Sequence, residues 1–445
     1  MFCPAVRMPH ESATRSHPRS SLTSQGVSTI AECVVTEERP GSPHNAAVPQ
    51  ALSPALVRGV SFWLLAVLLA LFLFAASAPS PLYSLWAARW LFPPSTLTQI
   101  YAVYAFGALL ALLVTGRLSD HIGRRPVVVM ALAVQVAGMV AFVFAQGVES
   151  LYVGRSLQGI GTGVASSAIS AWLLDLQPRD DPGIGGLVGG IAPVAGLAAG
   201  ALGSGLLVQY APDPLHLVFW LLTAVFVLAL AAMPLLPDVA ARRAGWLRSL
   251  RPEIGLPAAA RATFLALAPS LMAIWALGGL YLSLGPSVAS SLVGTDSHVA
   301  GAGVITALLG AGAIASALVR RADPRAMVTR GSVLLLVGVA LTLVAVALGS
   351  IVGLYAGSIL AGVGFGPAFS GIFRSLAPLA PPDRRGALVA SIYIVLYLSF
   401  SVPTIIAGVA VGSFGLRETT YAYGVVVMVL AAVTLVADTA SRERA

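Results

Sequence analysis

Residues 60–81 read VSFWLLAVLLALFLFAASAPSP and contain no charged side chain over 22 positions. Because an α-helix rises about 1.5 Å per residue, such a run spans the roughly 30 Å hydrocarbon core of a bilayer. Across all 445 residues, 57% are hydrophobic and 10% are charged. Soluble domains carry about a quarter charged residues. We therefore predict an all-α polytopic membrane protein and exclude soluble, fibrous and disulfide-stapled classes.

Eleven further apolar segments predict twelve transmembrane helices in total. They lie at about 60–81, 98–117, 126–145, 150–174, 184–209, 216–236, 262–284, 300–319, 328–348, 351–376, 387–411 and 416–437. The resulting domains are a disordered cytoplasmic tail (1–58), a six-helix bundle (59–236), a linker loop (237–261), a second six-helix bundle (262–438) and a cytoplasmic C-terminus (439–445). The tail is rich in Ser, Pro and Thr, which is typical of disorder. The first apolar run is too long and too distant for a cleaved signal peptide.

The distribution of arginine predicts the orientation of these helices. All 26 basic residues are arginine, and with the N-terminus inside, 23 of them fall in cytoplasmic segments. Arg89 and Arg417 fall outside, and Arg155 falls within the membrane. The positive-inside rule therefore predicts that both termini are cytoplasmic. A chain that is rich in Ala, Gly and Arg is typical of bacteria with GC-rich DNA, so we expect the inner membrane.

The linker between the two bundles mixes apolar and basic residues at helical spacing. Trp246, Leu247 and Leu250 alternate with four arginines, Arg242, Arg243, Arg248 and Arg251. An amphipathic helix lying on anionic lipid is one interpretation of this pattern. A solvated basic linker is the other.

An internal repeat predicts that the two bundles are homologous. Shifting the chain by 203 positions aligns residues 151–183 with residues 354–386, and 15 of 33 positions are identical. The same shift places Arg117 on Arg320 and Asp120 on Asp323. Such a repeat predicts two pseudo-symmetric six-helix halves.

A charged motif joins the second and third predicted helices, where residues 116–126 read GRLSDHIGRRP. Gly123 can adopt a positive φ, and Arg124 with Arg125 would anchor the cytoplasmic side. A charged hairpin that serves only topology is one interpretation. The position of Asp120 among the arginines favours another, in which its carboxylate accepts hydrogen bonds from a neighbouring helix N-terminus.

This segment resembles the GxLxDrxGrrp signature of the major facilitator superfamily. The resemblance implies two six-helix bundles that flank a central cavity over about residues 59–438. It also implies that Asp120 is held against the start of the eleventh helix, near Gly386, and that a following arginine pairs with Asp175. Those contacts would latch the cytoplasmic side in the outward-open state. Residues 319–323 keep Arg and Asp in the second half but lack the glycines. The implied latch residues are Gly116, Arg117, Asp120, Gly123, Arg124, Arg125 and Asp175.

The fourth predicted helix carries a polar stripe. Its members, three or four residues apart, are Arg155, Gly159, Thr162, Ser166 and Ser170. The run RSLQGIG from Arg155 resembles the RxxQGxG element of the same family, and we assign Arg155, Gln158 and Gly159 to the cavity and to coupling. An arginine inside the membrane costs at least ~2.5 kcal/mol, so we predict that Arg155 faces the cavity. Snorkelling to the outer interface is the alternative.

Glycines follow one face of the fifth predicted helix. The positions are Gly185, Gly189, Pro193, Gly196, Gly200 and Gly203. Because small residues let helix backbones approach closely, we predict that Gly189, Pro193, Gly196 and Gly200 pack against another helix. The run is also loosely similar to the superfamily's antiporter signature, GxxxGPxxGG, with Ala192 and Leu197 in place of two glycines.

Five aromatic residues are candidate substrate contacts. Tyr101 and Tyr104 share a face of the second helix, Tyr393 and Tyr397 share a face of the eleventh, and Trp275 lies on the seventh. The alternative is that these rings only pack or mark the membrane interface.

The sequence lacks the residues that several kinds of catalysis and ion binding require. No acid falls in the middle of a predicted helix, which removes the usual proton carrier and the usual counter-ion of a cationic drug. A proton stays one candidate coupling ion. No Walker motif, nucleophile elbow or metal-spaced histidine cluster is present, so we predict no enzyme activity, no cofactor and no metal site. Nucleic acid is not an expected partner, because the arginines follow membrane topology.

The sequence therefore predicts a secondary transporter that moves a small molecule by alternating access. An exporter of amphiphilic, drug-like compounds is the first hypothesis, and an importer of organic acids or other metabolites is the second. A non-transporting membrane sensor on the same fold is the third. We expect a monomer whose partners are its substrate and membrane lipid.

Overall fold

The computed structural model describes residues 54–181, 183–238, 244–294, 297–381 and 384–442. Every regular element in these ranges is helical. The twelve long helices, α1 to α12, are Pro54–Ser77, Pro94–Thr115, Arg124–Val143, Val148–Leu176, Ile184–Tyr210, Leu217–Ala232, Ala258–Ser283, His298–Leu318, Pro324–Ala347, Ile351–Leu376, Arg385–Phe414 and Leu416–Arg442. The predicted all-α architecture is confirmed. The predicted tail lies, as far as residue 53, outside the described residues.

Eleven helical segments of the described chain are long and apolar enough to cross a membrane by length and composition. The 29-residue α4 is not among them. It carries Arg155, Gln158 and many small residues, and it packs against α1, α2 and α3. Its polar groups are therefore buried inside the protein, where a transmembrane helix tolerates them.

Local sequence signals explain where several helices begin. Gly123, at φ +102°, precedes α3 in a conformation that favours glycine. Ser297 caps α8, Asp323 caps α9 and Ser350 caps α10, each with its side-chain oxygen accepting a backbone N–H of the first turn. Such caps satisfy donors that have no partner within the helix.

The internal repeat extends to atomic packing. A Cβ added to Gly159 or Gly163 on α4 would overlap backbone carbonyl oxygens of α2. Gly362 and Gly366, each 203 positions later on α10, stand in the same relation to α8. The two halves therefore use the same close contact between their second and fourth helices.

The halves contact each other at one end of the bundle and separate at the other. Thr98 on α2 lies against Gly408 on α11, and the Thr306 hydroxyl on α8 donates to the Ala198 carbonyl on α5 at 3.0 Å. The Gln209 side chain accepts a hydrogen bond from the backbone N–H of residue 298 at 3.1 Å. We call the opposite end, which carries the loops at 116–123, 177–183 and 319–323, the arginine-rich end.

The linker is attached to the first half at the arginine-rich end. The Leu236 carbonyl accepts a hydrogen bond from Arg125, and the Pro237 carbonyl accepts one from the Trp172 indole at 3.1 Å. Between residue 237 and the start of α7 at Ala258, the described residues form one helical turn, Trp246–Ser249, which includes Trp246 and Leu247 but not Leu250. Arg242 and Arg243 lie outside the described residues.

Candidate functional site

A cavity of about 910 Å³ lies between the two halves. Its inner wall includes Tyr101, Tyr104 and Arg155, and its rim includes the exposed residues Asp181 and Arg320 of the arginine-rich end. The cavity therefore opens at that end, where the halves are apart. Its volume lies within the range of about 300–1,000 Å³ that is typical of small-molecule sites.

Arg155 on α4 is fully buried and lies at the inner end of the cavity. Its Nη1 donates to the Ala76 carbonyl at 2.7 Å and to the Gln158 side-chain oxygen at 2.5 Å. Gln158 in turn donates to the Ala75 carbonyl at 2.8 Å. The carbonyls at the end of α1 therefore partly balance the arginine's charge, and the side chain does not snorkel.

Three tyrosine rings surround the Arg155 guanidinium. The guanidinium carbon lies 4.7 Å from the ring centre of Tyr101, 4.9 Å from that of Tyr104 and 5.8 Å from that of Tyr83. A cation near aromatic faces gains about 0.5–2 kcal/mol per contact. Tyr101 is held in turn by a hydrogen bond with the Ser80 hydroxyl. These rings stabilise a buried positive charge without a carboxylate.

The second half contributes an aromatic wall. Ring centres are separated by 5.3 Å between Trp275 and Phe369, 5.1 Å between Phe369 and Phe373, and 6.1 Å between Phe373 and Tyr393. The fifth ring is Tyr397, 6.1 Å from Tyr393. All five residues line the cavity. The aromatic residues proposed from the sequence therefore line one cavity: Trp275, Tyr393 and Tyr397 from the second half, and Tyr101 and Tyr104 from the first.

Sequence reasoning missed Phe369 and Phe373. Together with Phe365 they recur every four residues on α10, which places them on one face of that helix. That spacing was the available signal. Ser166 and Ser170 of the predicted polar stripe also line the cavity.

The rim of the cavity is basic. Arg320, Arg321 and Arg374 line it from the second half, and Asp181 lines it from the first. Arg374 donates to the Arg320 carbonyl at 3.0 Å, which orients this cluster. Asp181 is the single acid among the described cavity-lining residues, so the lining carries a positive balance.

Two predicted cavity residues have other roles. Gln158 is fully buried and orients Arg155 rather than lining the cavity. Gly159 faces α2, where the Tyr104 carbonyl occupies the space of a side chain. The RxxQGxG element therefore combines one cavity residue with one positioning residue and one packing residue.

The glycine face of α5 divides into two parts. Gly196 and Gly200 contact the carbonyl oxygens of Ala70 and Phe74 on α1, which is the predicted packing. Gly189 and Pro193 instead line the cavity, and the nearest atom to a Cβ at Gly189 would be the Ser170 hydroxyl at 3.9 Å. The packing prediction was wrong for these two residues, because α5 faces the open cavity near the arginine-rich end.

The loop at 116–123 is organised around Arg124. Its Nε donates to Asp175 at 3.0 Å, and its Nη1 pairs with Asp120 and donates to the Ser119 hydroxyl at 2.7 Å. The structure thus brings Arg124, Asp120 and Asp175 together within the first half. Among the described residues, no hydrogen bond joins Asp120 to the start of α11, and Gly386 is exposed with open space beside it. The implied contact between the halves is absent because this end is open.

The remaining loop residues connect to the linker or shape the turn. Arg117 pairs with Glu253, and Arg125 binds the Leu236 carbonyl. Gly116 ends α2, and Gly123 supplies the positive φ before α3. In the second half Asp323 caps α9, with its carboxylate 2.9 Å from the Ala326 nitrogen, which gives that acid a local structural role.

We predict that Asp120→Asn and Asp175→Asn each shift the protein toward conformations that are open at the arginine-rich end. Each change removes a charged partner of Arg124 and so weakens the arrangement that the closed latch requires. Spin labels at the exposed positions Arg179 and Arg384, in a protein whose Cys3 and Cys33 are replaced by serine, measure the separation of the halves. We expect a larger population of long distances in both variants.

Asp323→Asn is the matched control for these variants, because asparagine also caps a helix. We expect its distance distribution to match that of the wild type. If Asp120→Asn and Asp175→Asn both show the wild-type distance distribution, neither acid contributes to the latch.

The comparison with known families agrees with this architecture. The family model of the Major Facilitator Superfamily matches residues 64–404. The chain therefore belongs to the major facilitator superfamily, whose members are membrane transporters that bind small molecules. It is a multi-pass membrane protein.

Individual relatives match shorter parts of the chain. Multidrug resistance protein MdtL of Klebsiella pneumoniae (strain 342) is 30% identical over 129 residues, which cover 29% of this chain and 32% of MdtL. Sugar transporter ERD6-like 6 of Arabidopsis thaliana is 26% identical over 91 residues, covering 20% of this chain and 19% of that protein. The chain thus matches between 19% and 32% of the length of these two relatives.

A solved structure matches the whole fold. The crystal structure of a bacterial homolog of the human lysosomal transporter Spinster, in an inward-facing and unoccupied conformation, has a TM-score of 0.68. The match covers 87% of this chain and 98% of that chain at 13% identity. This similarity shows the shared fold.

Proposed function

We propose that this protein is a secondary transporter that exports an amphiphilic organic molecule, neutral or anionic, by alternating access. The observation that carries the proposal is the cavity between the halves, which has arginines on its inner wall and rim and an aromatic wall opposite. An apolar body fits the aromatic wall, and a negative group fits the positive inner end. The two halves would rock around this site, so that it opens to one side of the membrane at a time.

The charge of the lining favours anions over cations. Arg155, Arg320, Arg321 and Arg374 line the cavity with Asp181 as the one described acid. Described acids elsewhere lie in loops or near helix ends, as Glu149 and Glu418 do in first turns. A cationic drug would therefore find one described carboxylate, at the rim and among three arginines, and none at the inner end of the site.

Import of organic acids remains the second hypothesis, because an open cavity loads from one side in either direction of transport. The basic rim supports it as strongly as it supports anion export. Export is favoured by the large aromatic wall and by the partial similarity to MdtL. The sensor hypothesis is disfavoured by the open central cavity, which a transport cycle requires.

A ligand screen followed by a transport assay tests this proposal. Purified protein is screened for compounds that raise its apparent Tm, and each hit is then loaded into proteoliposomes. We expect amphiphilic anions among the hits and their protein-dependent movement across the vesicle membrane. Hits that bind without moving under any ion gradient would favour the sensor hypothesis.

We propose that the arginine-rich end and both termini face the cytoplasm of a bacterium, in its inner membrane. A cysteine at Asp213, in the exposed loop of the opposite end, should react with an impermeant maleimide added to intact cells. A cysteine at the exposed Arg248 of the linker should react only after the cells are opened. The reverse pattern would contradict this orientation. Asp296 and Arg243 would be natural further probes, but both lie outside the described residues.

We further propose that the transporter works as a monomer in contact with lipid. A proton is the proposed coupling ion. With acids confined to the helix ends and loops among the described residues, its carrier would be a group at the membrane surface or the substrate itself.

A further inference from the structure

The Arg155 guanidinium has hydrogen-bond partners on one nitrogen and a second, buried edge whose donors are unpaired; we call this the free edge. Nη1 is bound to Ala76 and Gln158, and the rings of Tyr101 and Tyr104 lie over the group. Nε and Nη2 are buried and have no hydrogen-bond partner among the described residues. The side chain is therefore held in place through Nη1, while the three N–H donors on Nε and Nη2 are unsatisfied.

The hydroxyl of Tyr83 is in the same condition. It is buried beside the Arg155 guanidinium, whose carbon lies 5.8 Å from its ring centre, and it makes no hydrogen bond of standard geometry to the residues that the structure describes. Buried donors in proteins are nearly always paired, and an unpaired charged donor is especially costly. Arg155 lines the inner end of the cavity and Tyr83 lies directly behind it, so these unsatisfied groups indicate a place for an acceptor from outside the chain.

The free edge has the geometry of a carboxylate site. The Nε and Nη2 hydrogens of an arginine point in parallel from one edge, which matches the two oxygens of a carboxylate. The described part of the chain supplies no acid here, since its acids lie in loops or near helix ends.

The equivalent position of the second half offers a contrast. Ser358 stands 203 positions after Arg155, and its hydroxyl lies 3.0 Å from that of Tyr281. The Tyr281 hydroxyl also lies 3.2 Å from that of Thr342. The second half thus closes this position with neutral hydrogen bonds, whereas the first half leaves a cation with open donors.

We propose that the free Nε–Nη2 edge of Arg155 binds the carboxylate of the substrate, bidentately, and that the substrate is an aromatic or otherwise apolar monocarboxylate. The aromatic wall from Trp275 to Tyr397 receives its apolar body. A tetrahedral phosphate fits less well, because this inner end offers a single arginine. This inference rests on the proposed function, since it names the substrate class of the same cavity.

The test compares three probes on the full-length protein in nanodiscs. The probes are 2-naphthoate, its neutral analogue 2-naphthamide, and inorganic phosphate, and binding is followed by apparent Tm and by calorimetry. We expect 2-naphthoate to bind at least about tenfold more tightly than 2-naphthamide, since charge-assisted pairing is lost in the amide. Phosphate should not compete with 2-naphthoate. Equal affinity for 2-naphthoate and 2-naphthamide would overturn the proposal, and so would the absence of binding by both. Competition by phosphate would show that the free edge binds oxyanions in general rather than carboxylates.

Variants locate the binding to Arg155. Arg155→Lys keeps the charge but loses the paired donors, and we expect about tenfold weaker binding of 2-naphthoate with little change for 2-naphthamide. Arg89→Lys makes the same exchange at an exposed site of the opposite end and should bind like the wild type. Tyr83→Phe is a second variant that keeps the ring and should weaken 2-naphthoate binding several-fold. If both Arg155→Lys and Tyr83→Phe bind 2-naphthoate as tightly as the wild type does, the free edge of Arg155 is not the carboxylate site.

The outcomes separate this inference from the proposed function. If 2-naphthoate binds selectively at Arg155 but no compound is transported, the carboxylate site is supported and the proposed transporter function is rejected. If Arg155→Lys transports normally and binds 2-naphthoate with unchanged affinity, the transporter function is retained and the carboxylate site at Arg155 is rejected.

Discussion

Replacing Arg155 with alanine is expected to reduce transport of a screened substrate at least about tenfold while the protein still inserts normally. A charge-assisted hydrogen bond contributes about 1.5–3 kcal/mol, and about 1.4 kcal/mol corresponds to a factor of ten. If the substrate pairs with Arg155, its binding energy differs between the empty and the occupied cavity. That difference is what can shift the equilibrium between the two open states.

Arg155→Lys should retain a fraction of transport, because a point charge replaces the planar group. The measurement is the initial rate of uptake into proteoliposomes with matched amounts of inserted protein. Ser358→Ala is the control, since it removes the polar side chain at the equivalent position of the other half without lining the cavity. We expect nearly normal transport by this variant. Wild-type rates in Arg155→Ala would assign Arg155 a purely structural role.

Gly159→Ala is expected to destabilise the protein strongly, whereas Gly189→Ala should not lower its stability. The added methyl group at residue 159 would overlap the Tyr104 carbonyl, so α2 and α4 must move apart. At residue 189 the nearest atom is 3.9 Å away, which is an ordinary contact distance. Overpacking a well-packed site typically costs about 1–3 kcal/mol, and a clash with backbone falls at the upper end of that range.

The pair is compared by apparent Tm in the same detergent and at the same heating rate, because membrane proteins commonly unfold irreversibly. Both variants add one methyl group inside a helix, so the gain in helix propensity is the same in each. A Tm for Gly159→Ala as high as that for Gly189→Ala would show that α2 and α4 can separate at little cost.

The helices and the repeat could be predicted because both are one-dimensional properties of the chain. A run such as residues 60–81 must cross the membrane whatever its neighbours are. The match of residues 151–183 with 354–386 likewise predicts two similar halves without any knowledge of packing. The predicted segments and the described helices agree closely for this reason.

The environment of each helix face could not be predicted in the same way. Helical spacing correctly placed Gly189, Pro193, Gly196 and Gly200 on one side of α5. It could not show that α1 covers only the part near Gly196 and Gly200. Whether the rest of this face, near Gly189 and Pro193, meets a cavity depends on how far the halves separate at the arginine-rich end, which is a property of the conformation. The missing contact between Asp120 and α11 has the same cause.

The buried charge of Arg155 also has an electrical consequence. When the cavity is open and filled with water, Arg155 experiences the electrical potential of the side to which the cavity opens. Moving one elementary charge across the membrane potential changes the free energy by about 2.3 kcal/mol per 100 mV. With the arginine-rich end in the cytoplasm, a membrane potential that is negative inside would hold the empty carrier in the conformation described here. A bound monocarboxylate would cancel the charge and remove this voltage dependence. The empty carrier would then respond to voltage, and the loaded carrier would move electroneutrally.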